Sequence, residues 1–254
     1  MSQYLCIALL TVVFTLNSVK VSQGIERGYA YLWGGFSTSL VGRSAAQMHN
    51  ADFAAAVLDG TVIPPGCIFS FNDLVGSRDR GNGYIPAPII NGLGTLQDIP
   101  GGGICQLAST IYNAGLYAGM EIVERHPHSR AVSYVPPGRD ATIATWRKDL
   151  KLRNPHRTSL ILRISMKNRR MTASFWSTAD KGFKVEIKTD SIPLEPAIAV
   201  DTVNATVLPM EQTGGYGFSV ITRRSYLKDD LIHDQELSVD YYPPPTRILK
   251  GGSR

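Results

Sequence analysis

The chain of 254 residues is 43% hydrophobic and 19% charged, which is ordinary for a globular protein and excludes an intrinsically disordered one. Its length suits one domain, or one domain with a small appendage, and can bury a core without disulfide staples. The formal net charge of +5 favours acidic partners, but the scattered arginines and the lack of RNP-type or zinc-finger motifs argue against a nucleic-acid partner.

Residues 1–24 form a separate segment with an apolar run from Leu5 to Leu16 and no acidic residue. A run of this length is too short to cross a bilayer, which needs about 20 residues, but it matches the apolar part of a secretory signal peptide. Ser22 and Gly24 are small residues at the positions that signal cleavage requires, so cleavage is predicted after Gly24. An uncleaved N-terminal membrane anchor is the alternative. Both interpretations predict that the remaining chain is extracytoplasmic.

The next part of the chain combines one helix with short strands and loops. Apolar residues recur at helical spacing and predict a helix over residues 44–59, which the Pro64-Pro65-Gly66 turn ends. The following predictions are a short strand over Cys67–Phe71, a loop over residues 76–83 and a strand with a turn over Ala87–Gly94.

A second helix is predicted over Gln106–Met120. Its apolar side consists of residues at the i, i+4, i+7 and i+11 positions, namely Leu107, Ile111, Ala114 and Ala118. The adjacent stripe is made mostly of small residues, which is typical of a helix that packs tightly on several faces. We therefore expect this helix to lie buried in the middle of the domain.

Beyond residue 131 the pattern changes to β-strands, because β-branched and aromatic residues recur between Pro, Gly and Asn turns. The predicted strands are Ala131–Val135, Thr142–Trp146, Leu160–Met166, Met171–Trp176, Phe183–Lys188, Thr202–Leu208, Phe218–Arg223 and Glu236–Tyr242. Pro243-Pro244-Pro245 and Gly251-Gly252 mark a tail. The predicted fold class is therefore α+β, with a cysteine-bearing central helix packed on a mainly antiparallel sheet and a small β-rich C-terminal part.

The candidate reactive group is Cys105, which follows three glycines near the start of the second helix. Glycines let the backbone turn sharply and expose its N–H groups. A helix N-terminus supplies unpaired N–H donors and a partial positive charge, which lower the pKa of a cysteine thiol and favour the nucleophilic thiolate. The same N–H groups are suited to hold an oxyanion during acyl transfer. A P-loop is excluded because no lysine follows the glycines.

A thiolate nucleophile needs a base, and His126 and His128 lie just beyond the predicted helix. The proline between them favours an extended conformation, in which side chains two residues apart point to the same side. Both imidazoles are therefore predicted to face one pocket, where one pairs with Cys105 and the other binds or orients substrate. Asp140, Glu124 or a backbone carbonyl is expected to hold the base in its working tautomer.

Other interpretations of these cysteines and histidines stay open at the level of sequence. Cys105 is an inert buried residue in one interpretation, and in another it joins His126 and His128 in a zinc site. A disulfide between Cys67 and Cys105 would block the chemistry. Cys67 is otherwise expected to fill space in its strand.

Arg139 and Asp140 follow the Pro136-Pro137-Gly138 turn and are expected near the pocket, because the arginine fork binds both oxygens of a carboxylate. A turn with a surface ion pair is the alternative. A basic stretch follows and consists of Arg147, Lys148, Lys151, Arg153 and Arg157. It is either a solvated face or a track for an anionic polymer.

Three groups of motifs resemble the VanW family. The first is Pro65-Gly66-Cys67-Ile68-Phe69-Ser70-Phe71-Asn72 with Val75-Gly76-x-Arg78 and Gly83-Tyr84. The second is Gly101-Gly102-Gly103-Ile104-Cys105-Gln106 with Ser109-Thr110-x-Tyr112-Asn113-Ala114. The third is Glu124-Arg125-His126-Pro127-His128-Ser129 with Tyr134-Val135-Pro136-Pro137-Gly138-x-Asp140-Ala141-Thr142. The resemblance implies a core domain over residues 36–165 and a β-rich C-terminal extension over residues 166–254.

The resemblance implies an exported cell-wall protein, because the family takes its name from an accessory gene of glycopeptide-resistance clusters. Some VanW-domain proteins have been associated with L,D-transpeptidation, in which a cysteine cross-links the stem peptides of peptidoglycan. Carried onto this chain, Cys105 is the nucleophile, and His128 is slightly preferred over His126 as the base. The residues expected to bind substrate or its oxyanion are Gly102, Gly103, Ile104, Gln106, Ser109, Arg139 and Asp140.

The expected partners are peptidoglycan stem peptides or another anionic wall polymer, with no cofactor and no metal ion. Two alternatives to the transpeptidase remain. One is a non-catalytic peptidoglycan-binding accessory module, in which the basic residues matter and Cys105 is only packed. The other is a cysteine amidase or peptidase that passes the acyl group to water.

Overall fold

The computed structural model describes residues 28–90, 96–195, 198–201, 217–228, 231–244 and 247–250. Residues 1–24, where a signal peptide or anchor is predicted, and the predicted strand Thr202–Leu208 lie outside this part of the chain. Within it, no helix is long and apolar enough to cross a membrane.

Helices in the described residues are α1 (Ala45–Leu58), α2 (Phe71–Val75) and α3 (Ile104–Tyr117). The helix predicted over residues 44–59 is confirmed as α1. It begins with a capping box, in which Ser44 Oγ accepts from the Gln47 amide and Gln47 Oε1 accepts from the Ser44 amide. The predicted helix Gln106–Met120 corresponds to α3, which begins at Ile104, so the glycine turn leads directly into it.

The strands are β1 (Tyr31–Ser39), β2 (Val62–Ile63), β3 (Ile68–Ser70), β4 (Pro86–Ile90), β5 (Leu96–Pro100), β6 (Glu121–Glu124), β7 (Lys151–Arg153), β8 (Leu160–Lys167), β9 (Arg170–Ser177), β10 (Lys184–Leu194), β11 (Ile198–Asp201), β12 (Gly217–Lys228), β13 (Leu231–Tyr242) and β14 (Arg247–Lys250). The largest sheet has the antiparallel order β1-β9-β8-β2. The order β3-β7-β6 forms a second sheet, β4 and β5 form a hairpin, and β10-β12-β13 forms the C-terminal sheet. Since only the β11–β14 pair of the described strands is parallel, the α+β class with mainly antiparallel pairing is confirmed.

Most of the strand predictions that fall on described residues are confirmed. Leu160–Met166 and Met171–Trp176 correspond to β8 and β9, and the alternating burial of β9 shows one face on the core. The other predicted strands of the C-terminal half lie in β10, β12 and β13. The predicted strand Cys67–Phe71 is shorter, because Phe71 already begins α2.

The strands predicted over Ala131–Val135 and Thr142–Trp146 are wrong, because this segment has no regular strand. Its backbone groups bond to nearby side chains and loops rather than to a neighbouring strand. The Ala141 amide donates to Ser109 Oγ at 2.9 Å, and the Thr142 amide donates to the His126 carbonyl at 2.7 Å. The tail prediction is also wrong in part, since β14 pairs with β11.

The core is centred on α3, which packs against β1 and β9. Every residue from Gln106 to Leu116 is buried. Strand β1 approaches the end of the helix so closely that a Cβ at Gly34 would lie 2.3 Å from the Ala118 nitrogen and 2.4 Å from the Ala114 oxygen. Only glycine allows this approach, which fixes the helix and therefore the position of its N-terminus.

Candidate active site

The turn before α3 places Cys105 in the first turn of the helix. Gly103 is the N-cap with φ 100°, a left-handed conformation that favours glycine, and none of the described side chains caps the helix there. A Cβ on Gly103 would lie 2.8 Å from the Gln47 carbonyl oxygen of α1, so the turn is also tightly packed. Cys105 is half-buried and carries a free thiol, which rules out the Cys67–Cys105 disulfide considered from the sequence.

The imidazole of His128 lies close enough to the Cys105 thiol to lower the thiol pKa, and Sγ donates to the Ile143 carbonyl oxygen at 3.7 Å. The Nδ1 atom of His128 lies 2.5 Å from Asp140 Oδ2, so Nε2 is the ring nitrogen that remains for the sulfur. The same Asp140 oxygen accepts the backbone N–H of His128 at 2.7 Å. These three residues are called the triad below. A nucleophile, a base and an oriented carboxylate in this sequence of contacts are what nucleophilic catalysis requires.

The triad is arranged to hold a thiolate beside an imidazolium. Burial by itself raises the pKa of the Cys105 thiol, but the hydrogen bond and charge of His128, with contributions from the Ile143 backbone and Arg78, bring that pKa below its ordinary value. Burial lowers the pKa of His128, yet the bonds to Asp140 and Cys105 outweigh it and raise that pKa to about 9. The two shifts have opposite directions, because each charged group stabilises the other: the imidazolium favours the thiolate, and the thiolate favours the imidazolium.

The third member, Asp140, is 1% exposed and is fixed by two further residues. Arg125 Nη2 donates to Asp140 Oδ1 at 3.0 Å, and the hydroxyl of Tyr242 donates to the same oxygen. Burial raises the pKa of Asp140, but the His128 bond and the Arg125 charge bring that pKa below its usual range. A buried carboxylate that stays ionised can therefore orient the imidazole and stabilise its protonated form.

Three of the residues expected to bind substrate or its oxyanion have backbone amides that already have acceptors. The amides of Gly102, Ile104 and Gln106 donate to backbone carbonyl oxygens at 3.2, 3.4 and 3.2 Å. The Cys105 and Gly103 amides have no hydrogen-bond acceptor among the described residues. The Cys105 amide, at the positive end of α3, is therefore the donor best placed for an oxyanion formed at its own sulfur.

His126 does not join the triad, because the structure pairs it with Glu124, whereas His128 contacts Asp140. The Nε2 atom of His126 lies 3.0 Å from Glu124 Oε1, and its side chain is 35% exposed. The bond from Lys151, together with that from His126, lowers the pKa of Glu124 to about 2, so this carboxylate stays ionised. The segment is not a regular strand, because the His128 amide turns towards Asp140 while His126 stays beside Glu124.

Two residues predicted to contact substrate instead fasten the helix to its surroundings. Ser109 Oγ donates to the Cys105 carbonyl at 2.8 Å and accepts the Ala141 amide at 2.9 Å, which ties the segment after Asp140 to α3. Gln106 Nε2 donates to Thr38 Oγ1 at 3.0 Å and to the Ser39 carbonyl at 2.7 Å. Both side chains are buried, so neither is available to a substrate.

Arg139 is also a packing residue in this structure rather than a clamp beside the thiol. Its Nε donates to Asn113 Oδ1 at 2.5 Å, and Asn113 lies two turns along α3 from Cys105. Its guanidinium carbon lies 5.2 Å from the ring centroids of Phe36 and Tyr117. Of the predicted pair, Asp140 is a member of the triad and Arg139 is not.

Arg78 is the arginine that the structure brings to the thiol, and sequence reasoning missed this role. Its charge helps to bring the pKa of the Cys105 thiol down, and its Nη1 donates to Asn72 Oδ1 at 2.8 Å. Its Nη2 is buried without a hydrogen-bond partner among the described residues. The available signal was its place in the motif Val75-Gly76-x-Arg78.

Tyr134 is a second residue that sequence reasoning did not assign to the site. Its ring lies edge-on to the His128 imidazole, with centroids 6.4 Å apart. Burial first, and then the charge of Cys105, raises the pKa of its hydroxyl. The phenol of Tyr134 therefore stays neutral beside the His128 imidazole.

The other interpretations of the site lose support. No group of three or more His, Cys, Asp or Glu side chains in the described ranges is arranged to hold a metal ion. The zinc site considered from the sequence would need His126, which turns to Glu124 instead. In the basic stretch, Lys151 pairs with Glu124 at 2.8 Å and Arg153 pairs with Glu121 at 2.9 Å, so these two charges are partly neutralised.

The fold and this geometry define an α+β protein with a cysteine–histidine–aspartate triad at a helix N-terminus. A family model described as VanW like protein matches residues 46–176, just over half of the chain. The chain belongs to the VanW family. All three residues of the triad lie within the matched range.

Two curated relatives agree with this assignment. Uncharacterized protein YoaR of Bacillus subtilis is 36% identical over 172 residues, which cover 68% of this chain and 55% of YoaR. Vancomycin B-type resistance protein VanW of Enterococcus faecalis is 33% identical over 115 residues, which cover 42% of this chain and 41% of that protein. The chain thus matches about half the length of these relatives.

Among solved structures, one described as the crystal structure of HP0197-G5 shares 22% identity and has a TM-score of 0.18. The match covers 28% of this chain and 97% of that chain. A TM-score this low supports no argument about the fold or the site.

Proposed function

We propose that this chain is an exported cysteine acyltransferase that acts on peptidoglycan stem peptides in an L,D-transpeptidase-like reaction. The observation that carries the proposal is the triad of Cys105, His128 and Asp140, in which His128 lies 2.5 Å from Asp140 and lowers the pKa of the Cys105 thiol. Membership of the VanW family, which includes a vancomycin resistance protein, supports a role at the cell wall.

The first half of the reaction forms an acyl-enzyme. The Cys105 thiolate attacks the carbonyl carbon of the donor peptide bond, a C–S bond forms, and the carbonyl electron pair moves onto oxygen. The Cys105 amide stabilises that oxyanion. When the electron pair returns, the C–N bond breaks and His128 gives its Nε2 proton to the leaving amine. The products are a thioester on Cys105 and a free amine.

The second half transfers the acyl group. An acceptor amine attacks the thioester carbon, His128 takes the proton from its nitrogen, and the C–S bond breaks to restore the thiolate. Asp140 keeps the imidazole oriented through both halves. Water in place of the amine would give hydrolysis with the same residues, which is the amidase or peptidase alternative.

Arg78 supplies a second reason to expect an acylated peptide as substrate. A buried guanidinium N–H without a partner is costly, and Nη2 of Arg78 has none among the described residues, while the Arg78 charge acts on the thiol. A substrate carboxylate or carbonyl oxygen that accepts from Nη2 removes this cost on binding. The terminal carboxylate or peptide oxygens of a stem peptide have the required chemistry.

The test is incubation of the purified, reduced protein with muropeptides and with intact sacculi, followed by mass spectrometry of the products. Cys105→Ala is the inactive comparison, and His126→Ala is the matched control because it removes a nearby imidazole outside the triad. We expect cross-linked or amino-acid-exchanged peptides with wild type and His126→Ala, and none with Cys105→Ala.

The other outcomes decide between the alternatives. Shortened peptides without exchange, again dependent on Cys105, would assign hydrolysis. Unchanged peptides with folded wild type, together with equal binding of wild type and Cys105→Ala to sacculi, would favour the non-catalytic wall-binding module.

A further inference from the structure

The carboxylate of the triad is held from the far end of the chain. Strand β13 carries Asp240 and Tyr242, and both lie outside the residues that the family model matches. The Tyr242 hydroxyl donates to Asp140 Oδ1 and accepts the Gly138 amide at 2.9 Å. Tyr242 is 1% exposed and Asp240 is 5% exposed, so these contacts are made without competing water.

Arg125 connects Asp240 to the triad. Its Nη1 lies 2.6 Å from both carboxylate oxygens of Asp240, which locks the guanidinium in place. The rest of the fork reaches Asp140: Nε donates to the backbone carbonyl at 2.6 Å, and Nη2 donates to Oδ1 at 3.0 Å. The Arg125 side chain is 4% exposed, so its charge needs both carboxylates for compensation.

Arg125 and Tyr242 have the same geometric effect on Asp140. Arg125 and Tyr242 both engage Oδ1, and this prevents rotation of the carboxylate about its side-chain bond. The opposite oxygen, Oδ2, is therefore presented to the Nδ1 atom and the amide of His128. Burial raises the pKa of Tyr242, which keeps its hydroxyl protonated and able to donate.

We propose that Tyr242 and Asp240 are positioning residues of the triad, so that the C-terminal sheet is a working part of the active site. The catalytic meaning of this inference rests on the proposed function. The boundary predicted between residues 36–165 and 166–254 then does not separate an active domain from an appendage. A fragment that ends with the family match would contain all three triad residues but would lack the contacts that orient Asp140.

The test uses a property of the thiol that needs no substrate. The rate at which iodoacetamide alkylates Cys105 is measured against pH in the full chain, and its midpoint reports the thiolate pKa. Asp140→Asn gives the reference shift of the midpoint, since it removes the charge that stabilises the His128 imidazolium. In Tyr242→Phe the Asp140 carboxylate can rotate away from His128. In Asp240→Asn, Arg125 loses one of its two carboxylate partners and pairs more strongly with Asp140, which weakens the interaction of Asp140 with the His128 imidazolium.

We expect both variants to raise the midpoint, in the same direction as Asp140→Asn and by about half a pH unit to one unit. Tyr241→Phe is the matched control, because this neighbouring tyrosine is 63% exposed, and it should leave the midpoint unchanged. A merely structural role would lower the melting temperature without moving the midpoint.

An unchanged midpoint in folded Tyr242→Phe and Asp240→Asn, alongside a clear rise in Asp140→Asn, would overturn the inference. The result is independent of the muropeptide assay. If the two variants raise the midpoint but the wild type transfers no acyl group, the proposed function is wrong and the positioning role remains. If the wild type transfers an acyl group but neither variant moves the midpoint, the positioning role is wrong and the proposed function remains.

Discussion

His126 and His128 are separated by one proline, yet the structure gives them different partners. His128 lies between the Cys105 thiol and Asp140, a carboxylate that is 1% exposed. His126 lies against Glu124, whose side chain is 29% exposed and also binds Lys151. Both histidines therefore have a carboxylate beside the imidazole, and both satisfy the same sequence pattern.

The difference between them lies in burial and in what else the carboxylate touches. Asp140 is withdrawn from water and held by Arg125 and Tyr242, so its charge acts on His128 with little screening. The charge of Glu124 is shared with a lysine and screened by solvent. On the proposed function, the base is therefore the histidine whose carboxylate is buried and whose other ring nitrogen is left for the thiol.

The largest effect is expected for the base of the triad. His128→Gln removes the proton acceptor and donor and leaves Cys105 with an unassisted thiol, so kcat/KM for acyl transfer should fall by about 10³-fold. The measurement is the initial rate of product formation from muropeptides by mass spectrometry. A fall of less than tenfold in a folded variant would remove His128 from the mechanism.

A smaller loss is expected when the carboxylate keeps its shape but loses its charge. Asp140→Asn should lower kcat by about 10²-fold while KM changes little, because the amide orients the imidazole poorly and cannot stabilise its charged form. Steady-state rates over a range of muropeptide concentrations separate the two parameters. Glu124→Gln makes the same change beside His126 and should leave kcat within about twofold of wild type.

The pH dependence tests whether the thiol and His128 act as a charged pair. The rate should rise with pH as Cys105 ionises at its lowered pKa, and it should fall again as His128 loses its proton near its raised pKa of about 9. The profile of kcat/KM should therefore be bell-shaped, and it changes about tenfold per pH unit on either limb. A rate that keeps rising above pH 10 would contradict the imidazolium as the acid.

Substrate binding, which the sequence suggested for the second histidine, is expected to depend on Arg78 instead. Arg78→Gln removes the charge and the unpartnered Nη2 donor, so KM should rise by about tenfold with a smaller change in kcat. The thiolate midpoint should also rise, since Arg78 helps to bring the pKa of Cys105 down. A KM equal to that of wild type would exclude Arg78 from substrate binding.

The smallest effect is expected at His126. His126→Ala removes an imidazole that is 35% exposed, and we expect its kcat/KM to stay within about twofold of wild type. The same muropeptide assay measures it beside His128→Gln. If the two variants lost activity equally, the contrast between the two histidines would be wrong.

Much of this site could be predicted from local pattern. The periodicity of Leu107 and Ile111 predicted the helix, and the preceding glycines predicted a sharp turn with Cys105 at a helix N-terminus. These features depend on neighbours along the chain, so a sequence contains them directly. The strands β8 and β9 were predictable for the same reason, because their residues alternate between the core and solvent.

The parts that could not be predicted depend on contacts between distant segments. Nothing in the sequence distinguishes Asp140 from Glu124 as the partner of the base, since the choice follows from which carboxylate is buried. The segment that holds Asp140 looked like strands because it is rich in β-branched residues, yet its backbone bonds to Ser109 and His126. Strand β1 was missed because Gly34 and Gly35 are poor strand formers, although Gly34 is what lets it approach α3.

The contacts from β13 also bear on when the thiol becomes reactive. They close stretches of 102 residues between Asp140 and Tyr242 and of 115 residues between Arg125 and Asp240. Closing such long stretches costs entropy, so we expect these contacts to form late in folding, and β13 is also synthesised after Cys105. On the positioning role proposed for Tyr242 and Asp240, we expect the sulfur to behave as an ordinary thiol until that strand docks, and a thiol resists oxidation better than a thiolate. The oxidation-prone thiolate would then form only after the protein surroundings of Cys105 are in place.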